Sequence, residues 1–309
     1  MACLLEILSN EIGVSGNENK IRDIIIKEIT PHADKIKIDT MGNIIAFKQG
    51  TANKKIMITA HMDEPGFIVS SVTDSGYLKI RTVGTIDPRV IVSKRVLIGD
   101  NKIKGVIGMK AIHLQKKAER ENTVSVSDLF VDIGAKNKKD ALKTVKIGDF
   151  ISFDTQFGDL GDNIKGKALN SRMGCMCLIE LLKLDFEYDI YAVFAAQSEI
   201  EGRGVLVAAY DIAPDTAVVI NTVEAADMFG TKPHERKAML GKGAVVSYMG
   251  DRASLDGKAV LTAGKGAKTV NVAIPCRYLN TPVSIASKAD MDDAVEKITS
   301  IIRNGGEVL

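Results

Sequence analysis

Residues Ile58–Val69 read ITAHMDEPGFIV, and this stretch decides how the rest of the chain is organised. An apolar β-run carries His61 and Asp63 on one face before Pro65 and Gly66 turn the backbone. Side chains two apart on a strand point the same way, so Asp63 backs His61 while Met62 faces the other side. A carboxylate that holds an imidazole in one tautomer is the usual support of a metal-binding histidine. That makes His61 a candidate ligand and Asp63 its partner. Taken alone, the same pattern also describes a plain hydrogen-bonded histidine at a loop edge, so the reading turns on the flanking segments.

Upstream, Ile21, Ile24, Ile25 and Ile29 keep helical spacing and stop before Pro31, which predicts an amphipathic helix. KIKID and NIIAFK flank Met41-Gly42-Asn43 as a hairpin-like pair, and Lys55–Ala60 is the strand that ends at His61. From Gly66 onward the texture changes to short strands with glycine punctuation: GFIVSSV, GYLKIRTV, RVLIG, IKGVIG, LFVDIG and GDFISFD. That spacing predicts a small β-barrel or sandwich, interrupted by a helix only at Lys138–Val145. Near Lys165 the texture returns to α/β. Met173–Leu184 is apolar almost all round and reads as a buried helix, with strands DIYAVFAA, TAVVIN and TVNVAIP after it. Met291, Val295, Ile298 and Ile302 mark a closing helix. The prediction is one discontinuous α/β domain, residues 1–66 and 165–309, interrupted by a β domain over 67–164.

Composition narrows the function classes. The 309 residues are 45% hydrophobic and 26% charged, a soluble globular balance with room for two domains. Lys and Arg total 41 against 39 for Asp and Glu, and the net charge of +2 argues against nucleic-acid and anionic-membrane partners. Cys3, Cys175, Cys177 and Cys276 form no disulfide-dense pattern, and MACLLEILSNEIGVSG lacks the basic region of a secretory leader. A cytoplasmic protein without a membrane span is expected.

In order along the chain stand AHMDEPGF, KGVIGMKAIHL, LFVDIGA, VKIGD, GKALNSRMGC, AAQSEIEGRG, LGKGAVV and IPCRYLNTP. Together they resemble the glutamyl and deblocking aminopeptidases, dinuclear metallopeptidases of tetrahedral shells that sometimes carry a cellulase or endoglucanase label. The resemblance runs nearly the whole length. It implies a three-layer α/β peptidase domain with a mostly parallel central sheet, and an inserted β domain that pairs protomers. It further implies peptide substrates, two zinc or cobalt ions per subunit, and a homo-oligomer between dimer and dodecamer, or a shell mixed with an active paralogue.

The same resemblance exposes departures at the site. Where the family's ALDDR supplies a carboxylate bridging two metals, this chain has Asn170 within Ala168-Leu169-Asn170-Ser171-Arg172. The family's paired glutamates, general base and ligand, are Ser198 and Glu199. An expected aspartate is Asn221, and the histidine of RYIHSP is Asn280. His61 and Glu199 alone keep ligand chemistry. An amide offers one neutral carbonyl oxygen and an NH₂ that repels a cation, while zinc is bound through His, Cys, Asp or Glu. A hydroxyl at position 198 cannot deprotonate water near neutrality. A GGTDA-like segment is also expected to be missing between Gly250 and Val270.

The resulting expectation is a hydrolytically impaired member that binds peptides or serves as a structural or regulatory subunit, with metal absent or weakly bound. The alternative is an active aminopeptidase with one metal at His61 and Glu199 and a substitute ligand, for which His234 is the candidate histidine. Cys175 and Cys177 are soft donors, but their place in an apolar helix reads as core packing. A glycosidase would need two facing carboxylates, nominally Asp63 and Glu199. A Ser198–His61–Asp63 hydrolase lacks the nucleophile-elbow motif.

Overall fold

The structure is a computed structural model that describes residues 2–232, 234, 237–248 and 254–307. Strands β1 (Lys35–Ile38), β2 (Ile44–Lys48) and β3 (Ala52–His61) come first. Then follow β4 (Gly66–Val72), β5 (Leu78–Val83), β6 (Arg95–Ile98), β7 (Ile103–Gly108), β8 (Phe130–Asp132) and β9 (Phe150–Phe153). The chain continues with β10 (Gly158–Leu160), β11 (Asn163–Gly166), β12 (Tyr188–Ala195), β13 (Thr216–Glu224), β14 (Val245–Tyr248), β15 (Lys268–Arg277) and β16 (Ser284–Ser287).

Among the described residues one large sheet runs β1-β2-β12-β3-β13-β15-β16-β11-β10, with β14 also paired to β15. Its centre, β12, β3, β13 and β15, is parallel, whereas every pairing outside that centre is antiparallel. Central strands buried on both faces read as continuous apolar runs, which is why TAVVIN and DIYAVFAA are legible. The flanking hairpins are shorter and more polar.

Helices cover both faces. Residues of α1 (Ala2–Asn10), α2 (Asn19–Ile29), α5 (Leu169–Leu182) and α8 (Lys288–Arg303) pack with Ile56, Ile58 and Ala60 of β3 in one core cluster. On the other face α6 (Arg203–Ile212) and α7 (Leu255–Thr262) pack against Met57 of β3 and Val219 of β13. Each fully buried isoleucine in these layers contributes roughly 1.5–3 kcal/mol. The period-2 alternation of β3 therefore puts His61 on the side that Met57 faces, toward α7.

β4 to β9 close into a separate antiparallel barrel with its own core of Phe67, Val69, Leu78, Ile98, Val131 and Ile151 among others. Its last strand ends at Phe153, and the hairpin β10–β11 joins the large sheet through β16. The helix expected over Lys138–Val145 is shorter, α4 (Lys138–Ala141), and α3 (Lys117–Glu121) forms another, so the barrel segment carries two. Among the described residues no helix is long and apolar enough to cross a membrane.

Candidate active site

The carboxyl ends of the parallel strands and the loops beyond them meet at one cleft, the usual location of sites on such sheets. β3 ends at His61, opposite Ala195 of β12, and the loop after β12 carries Ser198 and Glu199. Asn221 stands in β13 opposite Ala273, and Asn280 follows β15. Asn170 sits in the first turn of α5 and Asp256 in the first turn of α7. A cavity of about 190 Å³ is lined by His61, Asn170, Ser198, Glu199, Asn221, Thr222, Leu255, Asp256, Leu279 and Asn280.

Asp63 anchors this arrangement from beneath. It is fully buried and accepts a hydrogen bond from Ser15 Oγ at 2.5 Å. It also accepts the Glu199 backbone N–H at 2.9 Å and lies 3.1 Å from His61 Nδ1. One carboxylate thus fixes both the imidazole and the loop that carries Glu199. Glu18 holds the same loop two residues earlier by accepting the Gln197 N–H at 3.0 Å. Gln197 and Glu201 have left-handed backbones, φ 57° and 63°, so this loop stores strain that those contacts hold in place.

Electrostatics follow from this burial. Burial opposes charge on His61, but the hydrogen bond and charge of Asp63, with Asp256 and Glu199 beyond, raise its pKa to about 9. Asp63 is held below the usual carboxylate value because His61, Ser15 and the Glu199 amide outweigh its burial. Burial raises Glu199 to about 7, with His61 pulling the other way and Asp63 adding to the rise. Asp256 is likewise raised by burial.

The sequence-nominated positions His61, Asn170, Ser198, Glu199, Asn221 and Asn280 converge although they come from five separate segments. Asp63 lies behind His61. His234 is exposed and is not among the residues lining the cavity. Cys175 and Cys177 are buried core residues whose thiols are pushed up to about 12 by burial; Cys175 donates to the His61 carbonyl at 3.3 Å. Between Gly250 and Val270 the described residues form α7: Ser254 caps it by accepting the Gly257 N–H at 3.1 Å, and Leu255 and Asp256 close one wall of the cleft. Residues 249–253 lie outside the described residues.

Residues 42–255 match the M42 glutamyl aminopeptidase family. The chain belongs to that family. An Acetivibrio thermocellus protein that carries the aminopeptidase name provisionally is 35% identical over 331 residues, covering 97% of each chain. The TET aminopeptidase of Thaumarchaeota archaeon SCGC AB-539-E09 superposes with a TM-score of 0.93 at 26% identity, covering 98% of this chain and 95% of that one. The Pyrococcus horikoshii TET1 peptidase, which can assemble into a tetrahedron or a large octahedral shell, has a TM-score of 0.83 at 29% identity, with 100% and 99% covered.

M42 aminopeptidases depend on two metal ions. Asn170 Nδ2 donates to Glu199 Oε1 at 3.0 Å, so a neutral amide meets the acidic side chain of the cleft. Among the described residues no group of three His, Cys, Asp or Glu side chains converges with the spacing a metal ion requires. Zinc sits about 2.0–2.3 Å from such donors.

Proposed function

We propose that this protein is a hydrolytically impaired M42 aminopeptidase homologue that retains a peptide-binding cleft. The hydrogen bond from Asn170 to Glu199 carries the reading, because it ties up the remaining acidic ligand with a neutral donor instead of a second carboxylate. Ser198 stands in the general-base position with a hydroxyl whose pKa is far above neutrality, so water activation fails along with metal affinity. Loss of a general base alone costs a factor of about 10² to 10⁴ in rate. Of the positions where the family has ligands, His61, held by Asp63, and Glu199 keep ligand-type groups, with Asn170, Asn221 and Asn280 as neutral lining.

The inserted segment 67–164, whose barrel ends at Phe153, is read as the unit that pairs protomers in a homo-oligomer, in the cytoplasm, alone or beside an active paralogue. Assembly of the TET1 relative into closed shells supports this, as does the barrel's independent core. Zinc and cobalt analysis of the purified protein, together with hydrolysis of aminoacyl anilides, tests the reading. A working metallopeptidase would hold stoichiometric metal and turn over; the impaired homologue does neither.

A further inference from the structure

We propose that the inserted barrel carries a binding site for a small phosphorylated molecule, in the cavity between the outer face of β5 and the segment 109–128. The cavity measures about 570 Å³, against about 190 Å³ for the cleft at the ends of the parallel strands. Sites for small organic ligands span roughly 300–1,000 Å³. All the lining residues of this cavity belong to the inserted segment, and none of them lines the cleft, so the two sites are separate.

Local structure prepares the walls. Leu78 and Ile80 of β5 turn into the barrel core, which leaves Lys79 on the outer face. Its ammonium donates to the Ser127 carbonyl at 2.8 Å and the Leu129 carbonyl at 3.4 Å, holding the far end of the segment against the strand. Gln115 ties the near end to itself. Its side chain is 9% exposed and donates to the Lys110 carbonyl at 2.7 Å. Its own carbonyl accepts Arg120 Nε at 3.2 Å and a terminal guanidinium nitrogen at 3.0 Å. Lys110 and Arg120 are thus brought to the cavity that Lys79 lines before any ligand arrives, which lowers the cost of ordering them.

Charge selects the ligand. Lys79, Lys110 and Arg120 line the cavity with one carboxylate, Asp128; three cations less one anion leave an excess of two. The whole chain carries no more than that, +2, so the excess is local and suits a small molecule instead of a nucleic acid or a membrane. A shallower depression that shares Lys79 adds Arg81 and no acidic side chain. Lys79 and Arg120 give the bonds described above to neutral carbonyls, and among the described residues neither forms an ion pair. The bonds to Gln115 use two of the five guanidinium N–H donors, and a guanidinium fork suits the oxygens of a phosphate or carboxylate. A phosphate monoester brings a charge of about −1.5 to −2 and three acceptor oxygens, which matches the excess, whereas one carboxylate supplies only a single charge. Met109 and Val124 offer apolar contact, and Thr123 a hydroxyl, to the organic part of the ligand.

The test is calorimetric titration of the full-length oligomer, in a phosphate-free buffer of low ionic strength, with glycerol 3-phosphate, glucose 6-phosphate and inorganic phosphate, beside glycerol, glucose and succinate. At least one of the two phosphate esters is expected to bind at submillimolar concentration, about ten-fold or more tightly than succinate, and to weaken as sodium chloride is added. Glycerol and glucose are expected not to bind. Arg120→Gln, verified to keep the parent's melting temperature and oligomeric state, is expected to lower the ester's affinity by about ten-fold or more. Should that variant misfold, Lys110→Gln replaces it with the same expectation. No binding of either ester at millimolar concentration, equal binding of succinate, or an affinity unchanged in the folded variant each overturns the proposal.

Discussion

Asn170 Nδ2 donates to Glu199 Oε1 at 3.0 Å, a contact that joins the first turn of α5 to the loop after β12 across the cleft. Because the donor favours the ionised carboxylate, Asn170→Ala should raise the Glu199 pKa beyond about 7. The lost hydrogen bond matters only when Glu199 is ionised. Asn170→Ala is thus expected to cost about 1 kcal/mol at pH 8 and almost nothing at pH 5, read as the difference in urea midpoint between the two conditions. An equal loss at both pH values would contradict the assignment.

The His61–Asp63 contact gives the fold a signature on the alkaline side. The folded pKa of His61, about 9, lies above its ordinary value, so the stabilisation is complete below roughly pH 6.5 and is lost as pH rises through about 9. Asp63→Asn should accordingly lower the melting temperature most at pH 6 and least at pH 10. A residual loss persists at pH 10 because Asp63 also accepts from Ser15 and the Glu199 amide.

Beneath the site, Lys167 Nζ donates to both Glu64 oxygens at 2.8 Å and to the Glu11 carbonyl at 2.7 Å. Lys167 and Glu64 are each 2% exposed, and Glu64 also receives the Gly13 N–H and the Ser152 hydroxyl. Removing one partner leaves the other charge buried, so Lys167→Met is expected to destabilise by about 3–5 kcal/mol. Chemical denaturation measures this. A loss below about 1 kcal/mol would mean that Arg172, 3.7 Å from Glu64, takes over the pairing.

The barrel lends itself to excision. Phe67 on β4 lies opposite Ile151 on β9, so the strand ends that enter and leave the barrel are adjacent and a short glycine linker can replace residues 67–153. The core cluster beneath β3 draws no residue from this segment. The excised protein is expected to remain folded and elute as a monomer in light-scattering chromatography. Retention of the parent's oligomeric state would show that protomers pair elsewhere.

Much of this site is legible in the sequence because it follows local rules. The i, i+2 spacing places Asp63 with His61, and the apolar run MGCMCLIELLKL marks α5 and so locates Asn170. Recognising Ser198, Asn221 and Asn280 as neighbours needed the family's motif order, since no spacing rule joins residues on separate strands. Asp256 escaped altogether. It belongs to a short helix in a polar stretch, and its place in the cleft wall arises from packing over Gly202, 54 positions earlier, which no periodicity reports. The antiparallel hairpin β10–β11 and strand β16 were unread for a related reason: they are three or four residues long and their pairing is non-local.

The account stands most directly on whether the cleft supports metal-dependent hydrolysis. The decisive measurement is zinc and cobalt content of the unmodified protein by elemental analysis, coupled to aminoacyl anilide turnover with either metal added. The account predicts far less than one equivalent of bound metal, no turnover above background, and only partial recovery of metal binding when Asn170→Asp, Ser198→Glu, Asn221→Asp and Asn280→His are combined. Two equivalents of metal with robust turnover abolished by chelation would contradict it.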